Sequence, residues 1–347
     1  TPDKGVQTLL AKGDGYEFFL GQNGGLNFRL QRKDGEVVST GIPLRKEWYF
    51  VAVSYNILSG TITITQQPVR PSPNDPSATT ISHEVTGKLV ANNQPLTIAA
   101  SLADSDESAS HFNGRIDRPR IYNQAMSPSQ LDGLARGTDP LDYTNVLIAA
   151  WDFSLDITSD RITDIGPNLL HGSVTNMPAR AVPGYNHTGR DPDWKNVPEE
   201  YGAIHFHDDD LEDARWTPSF ALKIPTNLKS GVYAAKLMTG DSEDYVPFYV
   251  RSPRGKPTAK ILFLAPTNSY LAYANEHMMN LPIVQELGEA SGASDSTYPA
   301  TDQDKYIVKE GLNSLYDVHT DGSYVHYSSR CRPNLTMRPK YDMPVLA

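Results

Sequence analysis

Short segments in which apolar and polar residues alternate, separated by turns, dominate the first third of the sequence. Alternation with a period of two puts one set of side chains on one face, which is typical of a β-strand with one buried face. The links read Gly-Asp-Gly, Gln-Asn-Gly-Gly and Lys-Asp-Gly, and these residues suit tight hairpin turns. The pattern predicts an antiparallel β-sandwich, with strands at residues 16–20, 26–30, 48–55 and 61–65.

A further motif follows this region of strands. Ser127, Pro128 and Gln130 have the spacing of a capping box with proline at the first helical position, so we expect a short helix to about Ala135. Residues 111–127 resemble the closing strand and helix start of laminin-G or concanavalin-like jelly rolls. We assign residues 1–145 to such a jelly-roll sandwich. The fold alone indicates no activity, because such domains include both sugar binders and inert interaction domains.

The rest of the sequence predicts two further modules, which makes the protein multidomain. Residues 146–256 read as an irregular linker and a small, immunoglobulin-like β module, with strands near 202–207, 220–224, 231–237 and 246–250. Residues 257–347 begin with the apolar run 260–266, typical of a buried parallel strand, followed by a helix near 275–288. We expect the N-terminal part of an α/β catalytic domain. One strand cannot complete such a sheet, so we also expect a subunit truncated at both ends.

The charge of the chain restricts its partners. Its 347 residues include 41 acidic and 31 basic side chains, a formal net charge of −10, which argues against nucleic acid or an anionic membrane as a partner. No apolar run approaches the roughly 20 residues that a membrane helix needs. The single cysteine, Cys331, cannot form an internal disulfide, so no oxidising compartment is required and we expect a cytoplasmic location.

Two motifs contain residue types found at metal sites or in nucleophilic catalysis. His205 and His207 lie two apart in a predicted strand, so both imidazoles face the same side, as metal ligands can. The carboxylates at 208–210 run consecutively and diverge, so we interpret the segment as a strand ending in a solvated acidic turn, with a divalent metal site as the alternative. Cys331 lies between two arginines in a predicted loop without a nucleophile elbow, and we interpret it as a packed residue, with the nucleophile of a Cys-His amidase as the alternative.

Two tyrosine-bearing stretches near the end of the sequence predict a pocket. Residues 267–275 follow the apolar run, at the carboxyl end of the expected strand, where open α/β sheets bind ligands. A phenol in such a place can bury its ring, donate a proton or coordinate a hard metal ion, and most buried tyrosines are core aromatics. Tyr273 and Tyr316 differ from other tyrosines in their many polar neighbours, which marks a pocket without identifying a metal.

A series of motifs extends in order from about residue 147 to the end of the chain. They are Ala-Trp-Asp-Phe at 150–153, Pro-Ala-Arg-Ala-Val at 178–182, Tyr-Gly-Ala-Ile-His-Phe-His-Asp-Asp-Asp at 201–210, Ser-Gly-Val-Tyr-Ala at 230–234, Ala-Tyr-Ala-Asn at 272–275, Ser-Leu-Tyr-Asp at 314–317 and Arg-Pro-Lys-Tyr-Asp-Met-Pro at 338–344. Together they resemble the large (beta) subunits of the N,N-dimethylformamidase family. The resemblance implies hydrolysis of N,N-dimethylformamide to dimethylamine and formate at a mononuclear iron (Fe³⁺), held by two tyrosinates and one glutamate. It also implies a hetero-oligomer with a small (alpha) subunit.

Within that resemblance, the tyrosine of the Ala-Tyr-Xaa-Asn motif falls on Tyr273 and that of the Ser-Leu-Tyr motif on Tyr316, which are the implied iron ligands. Tyr270 is a rival for the first position. The family's glutamate lies in a His-Pro-Glu motif that does not occur in this sequence, so we expect the third ligand beyond the chain end. His319 and Asn275 are candidate catalytic residues that would support the metal's ligands.

The sequence is also compatible with two other functions. An iron amidase of the same fold could act on another small amide, and a β-sandwich protein without enzymatic activity could bind a glycan or a protein. Colour from an iron tyrosinate would separate both enzymatic functions from simple binding. Release of amine and formate from dimethylformamide would separate the two amidases. With two of three ligands, we expect this length of chain to be inactive by itself.

Overall fold

The computed structural model describes residues 5–72, 75–102, 108–276 and 302–335, and the regular secondary structure of these residues is mostly β. The earlier strands are β1 (Gln7–Lys12), β2 (Tyr16–Leu20), β3 (Gly25–Leu30), β4 (Val37–Pro43), β5 (Tyr49–Asn56), β6 (Thr61–Pro68), β7 (Thr79–Glu84), β8 (Leu96–Ile98), β9 (Ser101–Leu102), β10 (Ser108–Ala109), β11 (Gly114–Asp117) and β12 (Arg120–Tyr122). The later strands are β13 (Leu147–Asp152), β14 (Arg161–Asp164), β15 (Gly172–Ser173), β16 (Ala179–Val182), β17 (Ala203–Phe206), β18 (Gly231–Thr239) and β19 (Ser242–Val250). The α-helices are α1 (Pro128–Ala135), α2 (Thr267–Tyr273) and α3 (Asp302–Lys309), with 3₁₀ turns at Pro140–Tyr143 and Pro198–Tyr201. Within the described ranges, every helix is too short or too polar to cross a membrane.

Two antiparallel sheets form the sandwich that the alternating pattern predicts. One has the strand order β4-β3-β2-β1-β8 and the other the order β5-β6-β7. Along β6, half-buried and buried residues alternate without interruption, as expected of a strand with one face on a core. All four strands predicted in this region overlap observed strands, and the β-sandwich is confirmed. Its core consists of side chains from both sheets, Phe18, Leu20, Leu26, Phe28, Leu30, Val38, Ile62 and Ile64.

Helix α1 begins and ends where the capping motif predicts. The Ser127 side chain accepts a hydrogen bond from the Gln130 backbone at 3.3 Å, and the Gln130 side chain accepts one from the Ser127 backbone at 2.8 Å. These two reciprocal bonds satisfy amides that the first turn of a helix leaves without partners. Leu134 on the helix is buried against Met126 and Val146, which fixes the helix beside the segment leading into β13.

Strand pairing crosses the domain boundary predicted at residues 145 and 146. Strand β11 pairs with β17, and β12 pairs with β13, in both cases antiparallel. A second core of Ala149, Trp151, Phe153, Ile162 and Ile204 contains residues of β13, β14 and β17. The domain boundaries stay predictions, but segments from either side of position 145 share hydrogen-bonded sheets.

The segment predicted as immunoglobulin-like contributes one isolated hairpin. Strands β18 and β19 pair over their full lengths, and no other described strand joins them. Strand β17 belongs instead to a sheet with β11 and β16, and residues 220–224, predicted as a strand, are exposed coil. The described residues therefore do not form an immunoglobulin-like sandwich, because one expected strand pairs elsewhere and another does not form.

The predicted start of an α/β domain is not observed in the described part of the chain. Ile261, Leu262, Phe263 and Leu264 are 72% to 90% exposed and lie in no strand. The physical reason is that a parallel strand needs neighbouring strands for its backbone groups, and no described strand pairs with this segment. Helix α2 follows the segment directly. The helix predicted at 275–288 lies almost wholly outside the described residues.

Candidate functional site

Tyr273 and Tyr316, far apart in the sequence, meet in the structure. Their ring centroids are 4.5 Å apart with 27° between the ring planes, and the two side chains are 43% and 45% exposed. Interaction with the Tyr273 hydroxyl raises the pKa of Tyr316, because a hydrogen bond between the hydroxyls favours the protonated phenol. The Leu315 amide donates to the Ala272 carbonyl at 3.3 Å, which joins the residues directly before each tyrosine. We call Tyr273 and Tyr316 the tyrosine pair.

Residues after position 327 connect the two halves of the tyrosine pair. The Ser328 hydroxyl donates to the carbonyl of Leu271 in helix α2 at 2.9 Å. Arg332 donates from Nη2 to Ser328 at 3.1 Å and from Nη1 to the carbonyl of Asn313. Asn313 begins the loop that carries Tyr316. Arg332 and Ser328 therefore link helix α2 to that loop through hydrogen bonds.

Tyr270, the rival for the first ligand position, has a different neighbour. It lies on helix α2 and its hydroxyl interacts with that of Tyr249 in β19. Burial and this interaction both raise the pKa of Tyr249. The structure therefore groups Tyr273, and not Tyr270, with Tyr316.

The Asn275 side chain is fully buried. It makes hydrogen bonds to backbone groups and does not line an open pocket. Its Nδ2 donates to the Pro333 carbonyl at 2.8 Å, and its Oδ1 accepts from the Leu335 amide at 2.8 Å. Its φ of 64° lies in the left-handed region, which asparagine tolerates better than most residues. Asn275 thus fixes the course of the chain just after Tyr273.

His319 belongs to a group of buried histidines and partly exposed aspartates that we call the histidine–aspartate cluster. The His207 and His319 rings are stacked, with centroids 3.7 Å apart and 4° between their planes, and the His205 and His207 centroids are 4.1 Å apart. The cluster joins the end of β17 to the loop that carries Tyr316. Its members are His205, His207, Asp209, Asp210, His319 and Asp321.

Each outer histidine of the cluster contacts a carboxylate. His319 Nδ1 lies 2.6 Å from Asp209 Oδ1, and Asn313 Nδ2 donates to the other oxygen of Asp209 at 3.0 Å. At the opposite side, His205 Nε2 lies 3.0 Å from Asp321 Oδ2. These contacts hold both rings in fixed orientations.

The surroundings shift the pKa values of the two outer histidines in opposite directions. Burial and the neighbouring His207 lower the pKa of His205 to about 4, so this imidazole is neutral at pH 7. Burial alone would lower the pKa of His319 as well, but the bonded Asp209 outweighs burial and the pKa is raised. The same contact keeps the pKa of the Asp209 carboxyl below its usual value in spite of burial. The cluster therefore combines a neutral imidazole with one that holds its proton tightly.

The interpretation of residues 205–210 as a strand with a solvated acidic turn holds only in part, because Asp208 is exposed whereas the Asp209 and Asp210 side chains are 19% and 17% exposed. His205 and His207 are each only 7% exposed, and Asp210 Oδ2 accepts from the His207 amide at 3.1 Å. Asp209 contacts His319, which lies in a distant loop, and Asp321 of the same loop contacts His205. The available signal was the His-Xaa-His spacing, which puts both imidazoles on one face of a strand.

Cys331 is exposed rather than packed. Its amide donates to the Ser329 hydroxyl at 2.9 Å, and its carbonyl accepts from the Ala214 amide at 2.9 Å. Those contacts use the backbone and leave the thiol at the surface, so the prediction of a packed cysteine is wrong.

Comparison with known proteins identifies both halves of the chain. A family model described as N,N-dimethylformamidase beta subunit-like, C-terminal, matches residues 179–345, and one for the Concanavalin A-like lectin/glucanases superfamily matches residues 1–132. The N,N-dimethylformamidase beta subunit of Paracoccus aminophilus is 35% identical over 369 residues, which cover 98% of this chain. The chain belongs to the N,N-dimethylformamidase beta-subunit family. Both the tyrosine pair and the histidine–aspartate cluster lie in the segment that the dimethylformamidase model matches.

The similarity covers only part of each dimethylformamidase relative. The chain spans 48% of the Paracoccus aminophilus beta subunit. A second N,N-dimethylformamidase beta subunit, from Alcaligenes sp, is 39% identical over 238 residues, which cover 67% of this chain and 30% of that relative. The chain therefore spans about half, or less, of the length of these curated relatives.

Proposed function

We propose that this protein takes part in the hydrolysis of N,N-dimethylformamide to dimethylamine and formate. Both curated relatives are named N,N-dimethylformamidase beta subunit. The observation that carries the proposal is the ring contact between Tyr273 and Tyr316. The family resemblance implies these two tyrosines as ligands of one metal ion, and such a role requires that their hydroxyls lie together.

The tyrosine pair suits a hard trivalent cation, and we propose iron (Fe³⁺). A phenolate is a hard anionic oxygen donor, and a bound cation must lower the phenol pKa from about 10 before the oxygen acts as a ligand. The two hydroxyls interact directly, so both oxygens lie at one place. Because each side chain is about half exposed, that place is accessible to a metal ion and a small substrate.

The proposed iron centre needs a third protein ligand, a glutamate. The His-Pro-Glu motif that contains it in the family does not occur in this sequence. The chain spans about half of the Paracoccus aminophilus relative. We propose that the carboxylate comes from a region that the relative has and this chain does not span.

The residues of this chain position the reacting groups. When bound, the metal would supply a Lewis acid for the amide carbonyl. Hydrolysis requires a bond from the water oxygen to the carbonyl carbon, cleavage of the C–N bond and transfer of a proton to the departing nitrogen. Asn275 fixes the chain after Tyr273, and the Asp209–His319 contact fixes the loop of Tyr316, so both keep the two phenol oxygens converged.

We also propose that the protein acts with a small alpha subunit in a cytoplasmic hetero-oligomer. The designation of both relatives as beta subunits supports a partner subunit. The formal net charge of −10 argues against nucleic acid or an anionic membrane as a partner and is compatible with a small neutral or cationic substrate.

An assay with a panel of amides tests the proposed reaction. The complete protein with its partner subunit is incubated with N,N-dimethylformamide, formamide or N,N-dimethylacetamide, and the amine or ammonia and the acid are measured. We expect dimethylamine and formate from dimethylformamide, lost in Tyr273→Phe and Tyr316→Phe and retained in Tyr270→Phe. If the protein contains iron, is coloured and hydrolyses another amide but not dimethylformamide, it is an iron amidase for another substrate. Neither iron nor turnover would favour the non-enzymatic binding protein.

A further inference from the structure

The histidine–aspartate cluster contains two overlapping sets of potential metal ligands. One set is His205, His207 and Asp321, and the other is His207, Asp210 and His319; in each, the ligand atoms lie within 4.8 Å of one another. The sets share His207, so the orientation of its ring relative to each neighbouring ring decides between them.

Ring stacking argues against the set that contains His319. A metal ion lies along the lone pair of each imidazole that binds it, which means close to the plane of that ring. The His207 and His319 rings are parallel within 4°, and their centroids are 3.7 Å apart. One ion cannot lie in both of these planes, so this pair does not chelate a metal in the observed arrangement.

The set that contains His205 has convergent geometry. The His205 and His207 rings are inclined by 44°. Both Nε2 atoms lie near the same oxygen, Asp321 Oδ2, at 3.0 Å for His205 and 3.7 Å for His207. In a tetrahedral zinc site with bonds of about 2.0–2.2 Å, the donor atoms lie roughly 3.3 Å apart. The observed separations bracket that value, so small side-chain movements would complete the set.

A buried nitrogen on the far side of His207 supports the same set. His207 Nδ1 has no hydrogen-bond partner among the described residues, although the side chain is only 1% exposed. It lies 3.4 Å from Asp210 Oδ2. If a metal ion occupies Nε2, the ring proton lies on Nδ1, and a small side-chain rotation would let Nδ1 donate to this carboxylate. Carboxylates orient metal-binding histidines in this way in many proteins.

Hydrogen bonds also orient the Asp321 carboxylate for metal binding. The Ser323 amide and hydroxyl both donate to Asp321 Oδ1, at 2.8 and 2.6 Å, which leaves Oδ2 directed at the histidines. The Ser323 hydroxyl also lies 2.9 Å from His207 Nε2. A metal ion would replace this last contact and leave the Ser323–Asp321 bonds in place.

We propose that His205, His207 and Asp321 bind a divalent transition-metal ion, Zn²⁺, with a fourth position for water. Two imidazole nitrogens and one carboxylate oxygen suit Zn²⁺, whereas Mg²⁺ and Ca²⁺ prefer oxygen ligands only. The ion fastens the end of β17 to the loop at 313–323. This site is separate from the tyrosine pair and does not depend on the proposed amide hydrolysis.

Zinc titration of the complete protein tests the site. The protein is stripped with a chelator, titrated with Zn²⁺ by calorimetry, and analysed for bound zinc by mass spectrometry. We expect one Zn²⁺ per chain, with binding weakened more than about 100-fold in His205→Gln and in Asp321→Asn. Two matched controls, His319→Gln and Tyr316→Phe, should retain zinc, because the first belongs to the rejected set and the second to the tyrosine pair.

X-ray absorption at the zinc edge of the wild-type protein provides a test that requires no variant to fold. It should show two imidazole ligands together with oxygen. The proposal is overturned if the wild-type protein binds no zinc, if its zinc has no imidazole ligands, or if His205→Gln and Asp321→Asn both keep wild-type affinity. Loss of zinc in His319→Gln, with the other two variants unaffected, would also overturn it.

Discussion

The tyrosine pair and the histidine–aspartate cluster share a loop but are built in opposite ways. Tyr273 and Tyr316 are nearly half exposed and lie against each other. In the cluster, the three imidazoles are at most 7% exposed, and His205 and His319 contact carboxylates. Accessible phenols are available to a ligand, whereas buried, bonded side chains stabilise the positions of the segments that they join. A candidate reaction site therefore lies only a few residues from a structural joint, by which we mean the histidine–aspartate cluster that connects β17 to the loop of Tyr316.

This contrast leads to opposite expectations for substitutions. Changes in the tyrosine pair should affect metal binding and activity while the fold stays stable. Changes among the buried polar residues that position the pair should reduce stability, because a lost partner leaves a buried group without a hydrogen bond. Four variants test this division.

Tyr316→Phe should have the largest effect, a loss of activity of at least about 100-fold, because it removes a proposed metal ligand. Its free energy of unfolding should change by less than about 0.5 kcal/mol, since the hydroxyl is on a half-exposed side chain. Activity, iron content and urea unfolding measure these quantities. Tyr324→Phe, at a 71% exposed position nearby, is the matched control and should behave like wild type. Full activity in Tyr316→Phe would show that the tyrosine pair is not the reaction site.

Asn275→Ala should lower the free energy of unfolding by about 2–3 kcal/mol, because the fully buried side chain and its two hydrogen bonds to the backbone are lost. Alanine also adopts the observed φ of 64° at a cost. Asn275→Gly removes the same hydrogen bonds without that backbone cost and should be less destabilised. If wild type, Asn275→Ala and Asn275→Gly were equally stable in urea, the hydrogen bonds of Asn275 would not stabilise this part of the chain.

Asp209→Asn should be destabilised by about 1–2 kcal/mol, because the charged contact with His319 becomes a weaker one. The amide can still meet Asn313 through its oxygen, so the loss is smaller than for Asn275→Ala. Urea unfolding measures the effect, with Asp241→Asn in the exposed β18–β19 turn as the control. If Asp209→Asn lost activity at unchanged stability, the cluster would have a role in the reaction beyond a structural joint.

Tyr270→Phe should have the smallest effect, less than about twofold in activity, because its hydroxyl interacts with Tyr249 rather than with the tyrosine pair. Steady-state rates with dimethylformamide and the iron content measure it. Loss of iron in this variant, with retention in Tyr273→Phe, would make Tyr270 the first ligand.

Local patterns in the sequence predicted local structure well. The alternation at 61–65 and the capping box at Ser127 depend on residues a few positions apart, and both form as predicted. Spacing cannot reveal that Tyr273 and Tyr316 touch, because tertiary hydrogen bonds bring them together. Polar neighbours in the sequence marked both tyrosines as part of a pocket, and only the family resemblance implied that they bind one metal ion.

Long-range partners explain what sequence reasoning missed. His205 and Asp321 are separated by 116 residues, and nothing in the local sequence of the acidic turn predicts that contact. The apolar run at 260–266 has the composition of a buried strand, but a strand also requires paired neighbours. None of the described strands pairs with it, and its apolar side chains are exposed.

Resonance Raman spectroscopy of the complete, iron-loaded protein tests the central claim most directly. Excitation in the visible charge-transfer band enhances the vibrations of phenolates bound to iron and of no other tyrosines. We predict tyrosinate bands that weaken in Tyr273→Phe and in Tyr316→Phe, disappear in the double variant and are unchanged in Tyr270→Phe. Iron bound without tyrosinate bands, or bands that survive in the double variant, would contradict the assignment of the tyrosine pair as the metal site.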